Sequence, residues 1–334
     1  MTVAAFVVTR PYPKSNVGSN LASMAGAVWV ARRLGRTLVV DWRGMSQLGD
    51  PSLNYFSEFF ESPAEVEGVP VLYAPGDEVP PYDTEGPGVR VLEAGDARRA
   101  TTGEKPADEP VLVLQQYHGP DRVLAGSEAE RFRFLRTFYR VVQPRPEIGA
   151  PADDWWRKHC DGAFVVGVNV RTGNGHYFGK DGTYPGRVDV SLFDDRRAFL
   201  RTLERAVRAR VRRLPRPLRD DFVVFYATDS QPMSELLAAL PHAVTRRRMF
   251  PPPGSGDTFR FESGSYTDRD SIVDTLVDMF LLGRCDALVY NSSMFNQYAR
   301  VLTGHFGGNE VHFETLYLRR RASQLSGLVR KRLS

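Results

Sequence analysis

The most informative segment of the chain is Val165-Val166-Gly167-Val168-Asn169-Val170-Arg171-Thr172-Gly173-Asn174-Gly175. In this segment an apolar run ends abruptly in one arginine and two further glycines. A run of valines bounded by glycine is typical of a strand buried inside a covered sheet. In open α/β sheets, ligands bind at the carboxyl ends of such strands. The stretch therefore predicts a buried strand that delivers Arg171 to a ligand site.

The residues that follow this strand suit an anion. A guanidinium presents a rigid fork of donors that matches phosphate oxygens. Gly173 and Gly175, on either side of Asn174, let backbone N–H groups approach the same oxygens. The alternative is a solvent-exposed arginine after a strand, since short glycine motifs recur by chance. The local pattern leaves both interpretations open.

Two further strands of the same half end in small polar residues before a helix. The strands are Phe222–Ala227 and Ala287–Tyr290. Each polar residue could bind a nucleotide or cap the following helix, and capping is the commoner role. Because three strand ends share this form, one nucleotide site is favoured over three independent caps. The polar residues are Thr228, Asp229, Ser230, Ser292 and Ser293.

The N-terminal half begins with a strand–loop–helix–strand unit. The pattern predicts a strand over Val3–Val8, a helix over Leu21–Leu34 that stops at Gly35, and a strand over Thr37–Trp42. Such a unit starts a doubly wound domain with a parallel sheet. Its loop ends at Asn20, where a helix N-terminus can face an anion or a sugar, or where Asn20 acts as an ordinary cap.

Proline and composition suggest the domain organisation. Residues 75–110 are rich in Pro, Gly and charge, so we expect a flexible surface insert there. Pro144 and Pro146 stop a helix over Glu128–Val142, and the polar stretch after them places a domain boundary near residue 150. We therefore expect two Rossmann-like α/β domains facing a cleft, residues 1–150 and 151–334.

The second half repeats the alternation of strand and helix. Strands are expected at Val165–Val170, Phe222–Ala227 and Ala287–Tyr290, and helices at Leu192–Arg212, Met233–Leu240, Ser271–Arg284 and Met294–Leu302.

The composition is that of an ordinary globular protein. Its 334 residues are 42% hydrophobic, and the formal net charge is only +4 because 44 basic residues are nearly matched by 40 acidic ones. This balance argues against a nucleic-acid partner, although a binder of acidic surfaces stays a minor hypothesis. The arginine clusters that could serve it more often form solvated faces. They are Arg205, Arg208, Arg210, Arg212, Arg213, Arg246, Arg247, Arg248, Arg319, Arg320 and Arg321.

The sequence also bears on the compartment. Cys160 and Cys285 are the two cysteines, so a disulfide framework and a cysteine-based metal site are excluded, and a reducing cytoplasm fits. The first ten residues lack the basic leader and apolar core of a signal peptide. No apolar stretch approaches the roughly 18 residues that span a membrane. We expect a soluble, cytoplasmic protein, and its oligomeric state stays open.

Four segments together carry a family resemblance. They are Asn20-Leu21 with residues 35–44, Val168–Gly175, Ala227–Ser230, and the helix–strand–serine stretch from Asp278 to Ser293. With these segments the chain resembles the NodZ-type α-1,6-fucosyltransferases and, more distantly, the core α-1,6-fucosyltransferases and the protein O-fucosyltransferases. Outside the insert near residues 75–110, the resemblance covers most of the chain.

The resemblance implies a GT-B-like architecture, a GDP-sugar donor held mainly by the second domain, and metal-independent transfer with inversion at the anomeric carbon. No cofactor is implied beyond the donor itself. Arg171 matches the family arginine that contacts the donor diphosphate. Asp229 and Ser230 match positions near the nucleotide, while Asp278 and Ser293 match the donor-site segment. A preplaced guanidinium acts most strongly as negative charge grows on the departing phosphate.

The chain departs from the family pattern at two places. Asn169 replaces the family's histidine two residues before the arginine, which keeps hydrogen bonding but loses a titratable ring. His176 stands where related enzymes often carry an acidic residue, and the nearest carboxylate is Asp181. Either one could be the catalytic base, and a loop histidine without a catalytic role is the alternative.

The donor sugar and the acceptor are less directly implied by the resemblance than the type of reaction. The resemblance implies transfer of a hexose, with fucose expected, from a GDP-sugar to a hydroxyl of a glycan or of a small molecule such as a natural product. The high Arg, Ala, Gly and Pro content suggests an actinobacterial source. Because Asn169 replaces the family's histidine and the acidic residue after the glycines is missing, a non-catalytic nucleotide-sugar or glycan-binding module of the same fold is the competing hypothesis.

Overall fold

A computed structural model describes residues 5–11, 17–44, 50–76, 79, 82–83, 86–104, 108–115, 122–171, 196–216, 219–248, 250, 268–291, 295–302 and 310–313. The chain divides into two compact units. The first unit contains Met1–Pro151 together with Asp268–Leu276, and the second contains Ala152–Thr267 and Val277–Ser334.

A six-stranded sheet forms the centre of the first unit. The strand order is β3-β4-β2-β1-β6-β5, with every neighbouring pair parallel except β3 and β4. The order reverses at β1, which lies between β2 and β6, so the edge beyond β1 is a topological switch point. The strands are β1 (Phe6–Arg10), β2 (Thr37–Val40), β3 (Glu65–Val66), β4 (Val69–Tyr73), β5 (Val89–Leu92) and β6 (Val111–Gln115).

The helices of this part are α1 (Val17–Leu34), α2 (Tyr55–Phe59), α3 (Ala94–Thr102), α4 (Glu128–Val141) and α5 (Pro146–His159). Helix α1 is buried continuously from Val17 to Ala31, because its small and apolar residues pack on all sides. It starts one turn earlier than predicted, so Asn20 lies inside the helix rather than in the preceding loop. It ends at Gly35 as predicted, in a left-handed conformation with φ of +63°.

The segment 75–110 differs from the predicted surface insert. It supplies β5, which pairs in parallel with β6, and helix α3. The helix buries a stripe of small residues, Ala94, Ala97 and Ala100. Composition hid these elements, because small alanines and a four-residue strand bury little apolar surface per residue.

The predicted domain boundary near residue 150 falls inside a helix. Pro146 occupies the first position of α5, where the missing N–H costs nothing, and a second proline, Pro151, lies farther along the helix. The division by contacts passes between Pro151 and Ala152. The sequence prediction placed residues 268–276 in the C-terminal domain, whereas their contacts assign them to the first unit.

The second unit is built on a five-stranded parallel sheet in the order β11-β10-β7-β8-β9. The order reverses at β7, between β8 and β10, which gives this sheet its own switch point. The strands are β7 (Phe164–Val170), β8 (Phe222–Thr228), β9 (Ala243–Val244), β10 (Ala287–Tyr290) and β11 (Glu310–His312). The helices of this part of the chain are α6 (Arg196–Val211), α7 (Gln231–Leu237), α8 (Asp268–Arg284), of which the second unit contains the part from Val277 onward, and α9 (Phe295–Leu302).

Strand β7 is the predicted buried strand, and its glycine is required by packing. Val165, Val166, Val168 and Val170 are fully buried. A Cβ atom at Gly167 would lie 2.9 Å from Cys285 Sγ and 3.1 Å from a methyl group of Leu282, too close for ordinary contact. The absence of a side chain therefore lets α8 pack directly on the strand.

The arginine cluster at helix α6 is mostly exposed, as predicted, but Arg210 within it is half-buried. The apolar stripe of the helix, Phe199, Leu203 and Val207, packs in the core of the second unit, while Arg205 and Arg208 are exposed. No helix in the described parts of the chain is long and apolar enough to cross a membrane. Cys160 and Cys285 are both buried and free, as the prediction of no disulfide requires.

Candidate active site

Arg171 and Asp229 meet at the carboxyl edge of the second sheet. Val170 at the end of β7 pairs with Thr228 at the end of β8, so the next residue of each strand lies side by side. Arg171 Nε is 3.2 Å from Asp229 Oδ2, and Asp229 is only 4% exposed. A guanidinium held at Nε has its plane fixed, and its terminal nitrogens lie in a defined direction.

Asn291, directly after β10, fixes the backbone of the same arginine. Its Oδ1 accepts a hydrogen bond from the Arg171 backbone N–H at 2.9 Å, and its Nδ2 donates to the Arg171 carbonyl at 2.7 Å. Asn296 of α9 donates from Nδ2 to the Asn291 carbonyl at 2.8 Å. Both asparagines are completely buried. The switch point between β7 and β10 is therefore closed by side-chain amides rather than by backbone pairing.

Several buried oxygens at this edge have no hydrogen-bond partner among the described residues. Asn169 donates from Nδ2 to the Ala227 carbonyl at 3.1 Å, but its Oδ1 has no partner. The same holds for Thr228 Oγ1, Ser230 Oγ and Asn296 Oδ1. A buried polar atom without a partner costs roughly 1–3 kcal/mol. Their concentration beside Arg171 is the pattern expected where a polar ligand supplies the missing bonds.

The capping alternative is resolved for one residue. Ser230 is the N-cap of α7, yet its side chain makes no capping hydrogen bond. Its hydroxyl is buried at this edge without a partner in the described chain. The helix therefore does not use the side chain as a cap, and the hydroxyl stays a candidate for ligand binding.

Asp278 lies in a second charged cluster. Arg248 Nη1 is 2.7 Å from Asp278 Oδ2, and Arg246 Nη1 is 3.4 Å from Oδ1. The two arginines follow β9, and their side chains are only 10% and 15% exposed. The sequence interpretation of these two arginines as a solvated face is therefore wrong, while Arg247 between them is exposed as expected. In extended chain, alternate side chains face the same way, so the two point together at α8.

A third polar group spans β10, α9 and β11. Arg300 donates to both carboxylate oxygens of Glu310, from Nε at 2.7 Å and from Nη2 at 3.1 Å, and Tyr290 Oη is 3.3 Å from the same carboxylate. Burial raises the pKa of Tyr290 to about 12. Burial, assisted by the Arg300 charge, lowers the pKa of His312 below its usual value.

Several predicted site residues lie outside the described residues, so their roles stay predictions. They are Gly173, Asn174, Gly175, His176, Asp181, Ser292 and Ser293. Asn20 lies in the first turn of α1, in the first unit, and is 1% exposed. Of the predicted site residues, the structure brings together Asn169, Arg171, Thr228, Asp229 and Ser230, while Asp278 belongs to the arginine cluster after β9.

Comparison with known proteins identifies the family. The model of the family described as Nodulation protein Z (NodZ) matches residues 4–85 and 128–311 of this chain. The chain belongs to the NodZ family. The matched residues include β1 and β7, the strands at which the two sheet orders reverse, and the unmatched interval, residues 86–127, contains β5, α3 and β6.

Individual relatives agree with this. The Nodulation protein Z of Bradyrhizobium diazoefficiens is 28% identical over 316 residues, which cover 89% of this chain and 78% of the relative. A NodZ α-1,6-fucosyltransferase co-crystallised with GDP superposes with a TM-score of 0.62 at 23% identity, covering 90% of this chain and 93% of that one. POFUT1 in complex with GDP gives 0.53 at 13% identity, covering 94% and 99%. These likenesses confirm the predicted fold of two Rossmann-like domains of the GT-B type.

Sequence reasoning missed four residues of this NodZ-family chain. Asn291 was visible as the first residue after a strand, but its role needs the register of β7 and β10. Asn296 lies in a helix, and only its contact with Asn291 distinguishes it. Arg246 and Arg248 carried a signal in their alternate spacing, which matches extended chain and not a helix face.

Proposed function

We propose that this protein is an inverting fucosyltransferase that moves fucose from GDP-fucose to a hydroxyl group of a glycan or small-molecule acceptor. Membership of the NodZ family supports the reaction. The arrangement of Arg171, Asp229 and Asn291 is the observation on which we assign the donor site to the second unit. The second unit is the donor side, and the first unit is the acceptor side.

Arg171 acts on the leaving group. As the bond between fucose and the β-phosphate breaks, negative charge grows on the phosphate oxygens, and a fixed guanidinium stabilises that charge without reorganising. Asp229 and Asn291 supply the fixation, one through the side chain and one through the backbone. Asn169, Thr228 and Ser230 offer the nucleotide or sugar their oxygens that have no partner in the described chain.

We assign the catalytic base to neither of the buried aspartates described above. Asp229 and Asp278, two buried carboxylates among the described residues of the second unit, each contact arginine side chains, and we assign them to holding those arginines in place. The acceptor hydroxyl therefore gives its proton to His176 or Asp181, the two candidates of the glycine-rich segment. Measuring donor turnover in His176→Gln and Asp181→Asn distinguishes them, because only the base variant loses the step that depends on the acceptor.

No metal ion takes part in this proposal, since arginine supplies the positive charge at the diphosphate. Activity retained after exhaustive dialysis against a chelator supports it, and activity restored only by a divalent ion contradicts it. We also propose that the protein works in the cytoplasm, where GDP-sugars and reduced cysteines occur together.

The decisive experiment combines donor binding and transfer. In a thermal-shift panel of GDP, UDP, dTDP and ADP, we expect GDP alone to stabilise the protein by mass action. With GDP-fucose and a set of neutral and charged acceptors, Arg171→Lys keeps the positive charge beside Asp229 but loses the fork, so transfer should fall by about 100-fold or more. Arg208→Lys, on the exposed face of α6, is the matched control and should transfer normally.

Two outcomes would contradict the proposal. Undiminished transfer in Arg171→Lys removes the arginine from the mechanism. If the protein binds GDP but transfers no fucose from GDP-fucose to any acceptor or to water, the non-catalytic module is favoured.

A further inference from the structure

The edge of the first sheet repeats the arrangement of the second. Arg10 ends β1, and because Thr9 pairs with Val40 in parallel register, the residue next to Arg10 is Asp41. Arg171 and Asp229 stand in the same relation at the ends of β7 and β8. In both sheets the arginine ends the strand at which the order reverses, where ligands of open α/β sheets bind.

The two units differ in what the aspartate holds. Asp41 does not pair with Arg10. Its Oδ1 accepts from Arg43 Nε at 2.7 Å, and its Oδ2 accepts from Arg43 Nη2 at 3.0 Å and from the Tyr82 hydroxyl. Asp41 is 2% exposed, so this cluster is built into the sheet edge. These hydrogen bonds outweigh burial, and the pKa of Asp41 lies below its usual value.

Arg10 is consequently a cation without a carboxylate partner in the described chain. Its side chain is half-buried, and Nε is shielded from solvent with no hydrogen-bond partner among the described residues. Side chains alternate along a strand, so Arg10 shares a face with Phe6 and Val8, which pack in the same apolar cluster as Tyr82. Arg10 and Arg43 both act electrostatically on Tyr82.

The charge of this edge is therefore positive. Among the described residues of this edge, two guanidinium groups, Arg10 and Arg43, accompany the carboxylate of Asp41, which Arg43 already neutralises. Burial raises the pKa of Tyr82, so its hydroxyl stays neutral and donates to Asp41. Arg43 is 39% exposed and is held by two hydrogen bonds to Asp41, so its remaining donors are oriented rather than mobile. A buried donor without a partner favours a charged acceptor from outside.

We propose that the carboxyl edge of the first sheet is an oxyanion site, in which Arg10 and the Arg43 held by Asp41 bind a phosphate or carboxylate group of the acceptor. The proposal rests on the proposed function, because it assigns the donor diphosphate to Arg171 in the second unit. It names the acceptor class, an acceptor that carries an anionic group.

Inorganic phosphate is the first probe, titrated calorimetrically into the full chain at constant ionic strength. The Arg171→Lys background weakens the site of the second unit. In that background Arg10→Gln should bind phosphate about tenfold more weakly, since charge-assisted hydrogen bonds to the oxyanion are lost. Arg10→Lys should recover part of the affinity. Arg32→Gln removes an exposed arginine of the same unit, paired with Glu67, and should change nothing.

Equal phosphate affinity in the Arg171→Lys protein with and without Arg10→Gln would refute the proposed oxyanion site. Circular dichroism establishes that the variants are folded, and Arg10→Lys provides the same test if Arg10→Gln is not. Repeating the phosphate titration with saturating GDP shows whether Arg10 belongs to an acceptor site or to the donor site. Phosphate binding unchanged by GDP supports an acceptor site, whereas competition by GDP, together with weakened GDP binding in Arg10→Gln, assigns Arg10 to the donor and refutes the acceptor assignment.

Transfer assays then test the acceptor class. Neutral oligosaccharides are compared with uronate-bearing and phosphorylated ones at equal concentration. Preference for the anionic acceptors, lost in Arg10→Gln and kept in Arg32→Gln, supports the proposal, and equal use of neutral and anionic acceptors contradicts it. Phosphate binding does not require GDP-fucose turnover, so this site can hold even where the fucosyltransferase assignment fails.

Discussion

The side-chain amide of Asn291 engages both backbone polar groups of Arg171, accepting from its N–H at 2.9 Å and donating to its carbonyl at 2.7 Å. A strand would normally satisfy these groups through a neighbouring backbone. Here the ladder between β7 and β10 has ended, and one side chain extends it by a residue. The position of Arg171 therefore depends on an asparagine 120 residues away in the chain.

Replacing Asn291 by aspartate should reduce stability and donor binding together. The variant keeps the Oδ1 acceptor but turns the donor into an anion that faces the Arg171 carbonyl in a fully buried position. We expect a loss of about 2–4 kcal/mol in the free energy of unfolding and weaker GDP binding. Urea denaturation and calorimetric titration with GDP measure the two effects.

Gln143→Glu is the control for this prediction. It makes the same amide-to-carboxylate change at an exposed side chain, whose Nε2 donates to the Arg140 carbonyl. Its effect should stay within about 0.5 kcal/mol. Similar destabilisation by both variants would mean that the Asn291 contacts do not matter.

The pair Arg171 and Asp229 should couple energetically. Removing either charge leaves the other less well compensated at a site where Asp229 is nearly buried. Arg171→Gln and Asp229→Asn should each destabilise the fold, and the double variant should lose less than their sum, with a coupling energy of about 1–2 kcal/mol. Unfolding free energies of the four proteins give the cycle. Strict additivity would show that the 3.2 Å contact contributes nothing.

Asp278 should be more important for stability than either arginine that it binds. Asp278→Asn leaves Arg246 and Arg248, both largely buried, without their shared carboxylate, and breaking a buried pair from one side costs about 3–5 kcal/mol. Arg248→Gln should cost more than Arg246→Gln, because its contact is shorter, 2.7 Å against 3.4 Å. Thermal unfolding ranks the three variants, and a smaller loss in Asp278→Asn than in Arg246→Gln contradicts the arrangement.

The sequence predicted those parts of the site that local pattern determines. Arg171, Asp229 and Ser230 were predicted to meet because each follows an apolar strand, and the structure brings them to one sheet edge, while their role in binding stays a prediction. Asn291 and Arg248 were not found, since their roles depend on contacts over 120 and 30 residues. For Ser230 the sequence left capping and ligand binding open, and the structure shows that its side chain makes no capping hydrogen bond.

The same distinction holds for the fold. The long apolar strands β7 and β8 and the end of α1 at Gly35 were correctly predicted, because hydrophobic runs and glycine punctuation are local signals. Strand β5 and helix α3 were missed, since they gain stability from β6 and from neighbouring helices rather than from their own composition. Helix α5 was not predicted, and a domain boundary was placed within it, because proline at a first helical position resembles proline that breaks a helix.

Gly167→Ala should destabilise the second unit. The new methyl group would lie 2.9 Å from Cys285 Sγ and 3.1 Å from methyl groups of Leu282 and Leu288, so α8 must shift. We expect a loss of about 1–3 kcal/mol. Cys285→Ala combined with Gly167→Ala should recover part of this loss, because the nearest atom is removed while the two leucines stay. Without any recovery in the double variant, the steric explanation fails.

The acid sensitivity of the fold should depend on His312. Burial and the Arg300 charge lower its folded pKa below the reference value of 6.5. The unfolded chain therefore binds a proton that the folded chain resists, so the contribution to stability is present above pH 6.5 and is lost as the pH falls toward the folded pKa. His312→Asn should flatten the dependence of Tm on pH between about pH 7.5 and pH 5.5. Glu310→Gln should steepen it, because the Glu310 carboxylate raises the pKa of His312. Parallel Tm profiles in wild type and His312→Asn would show that another group controls the acid response.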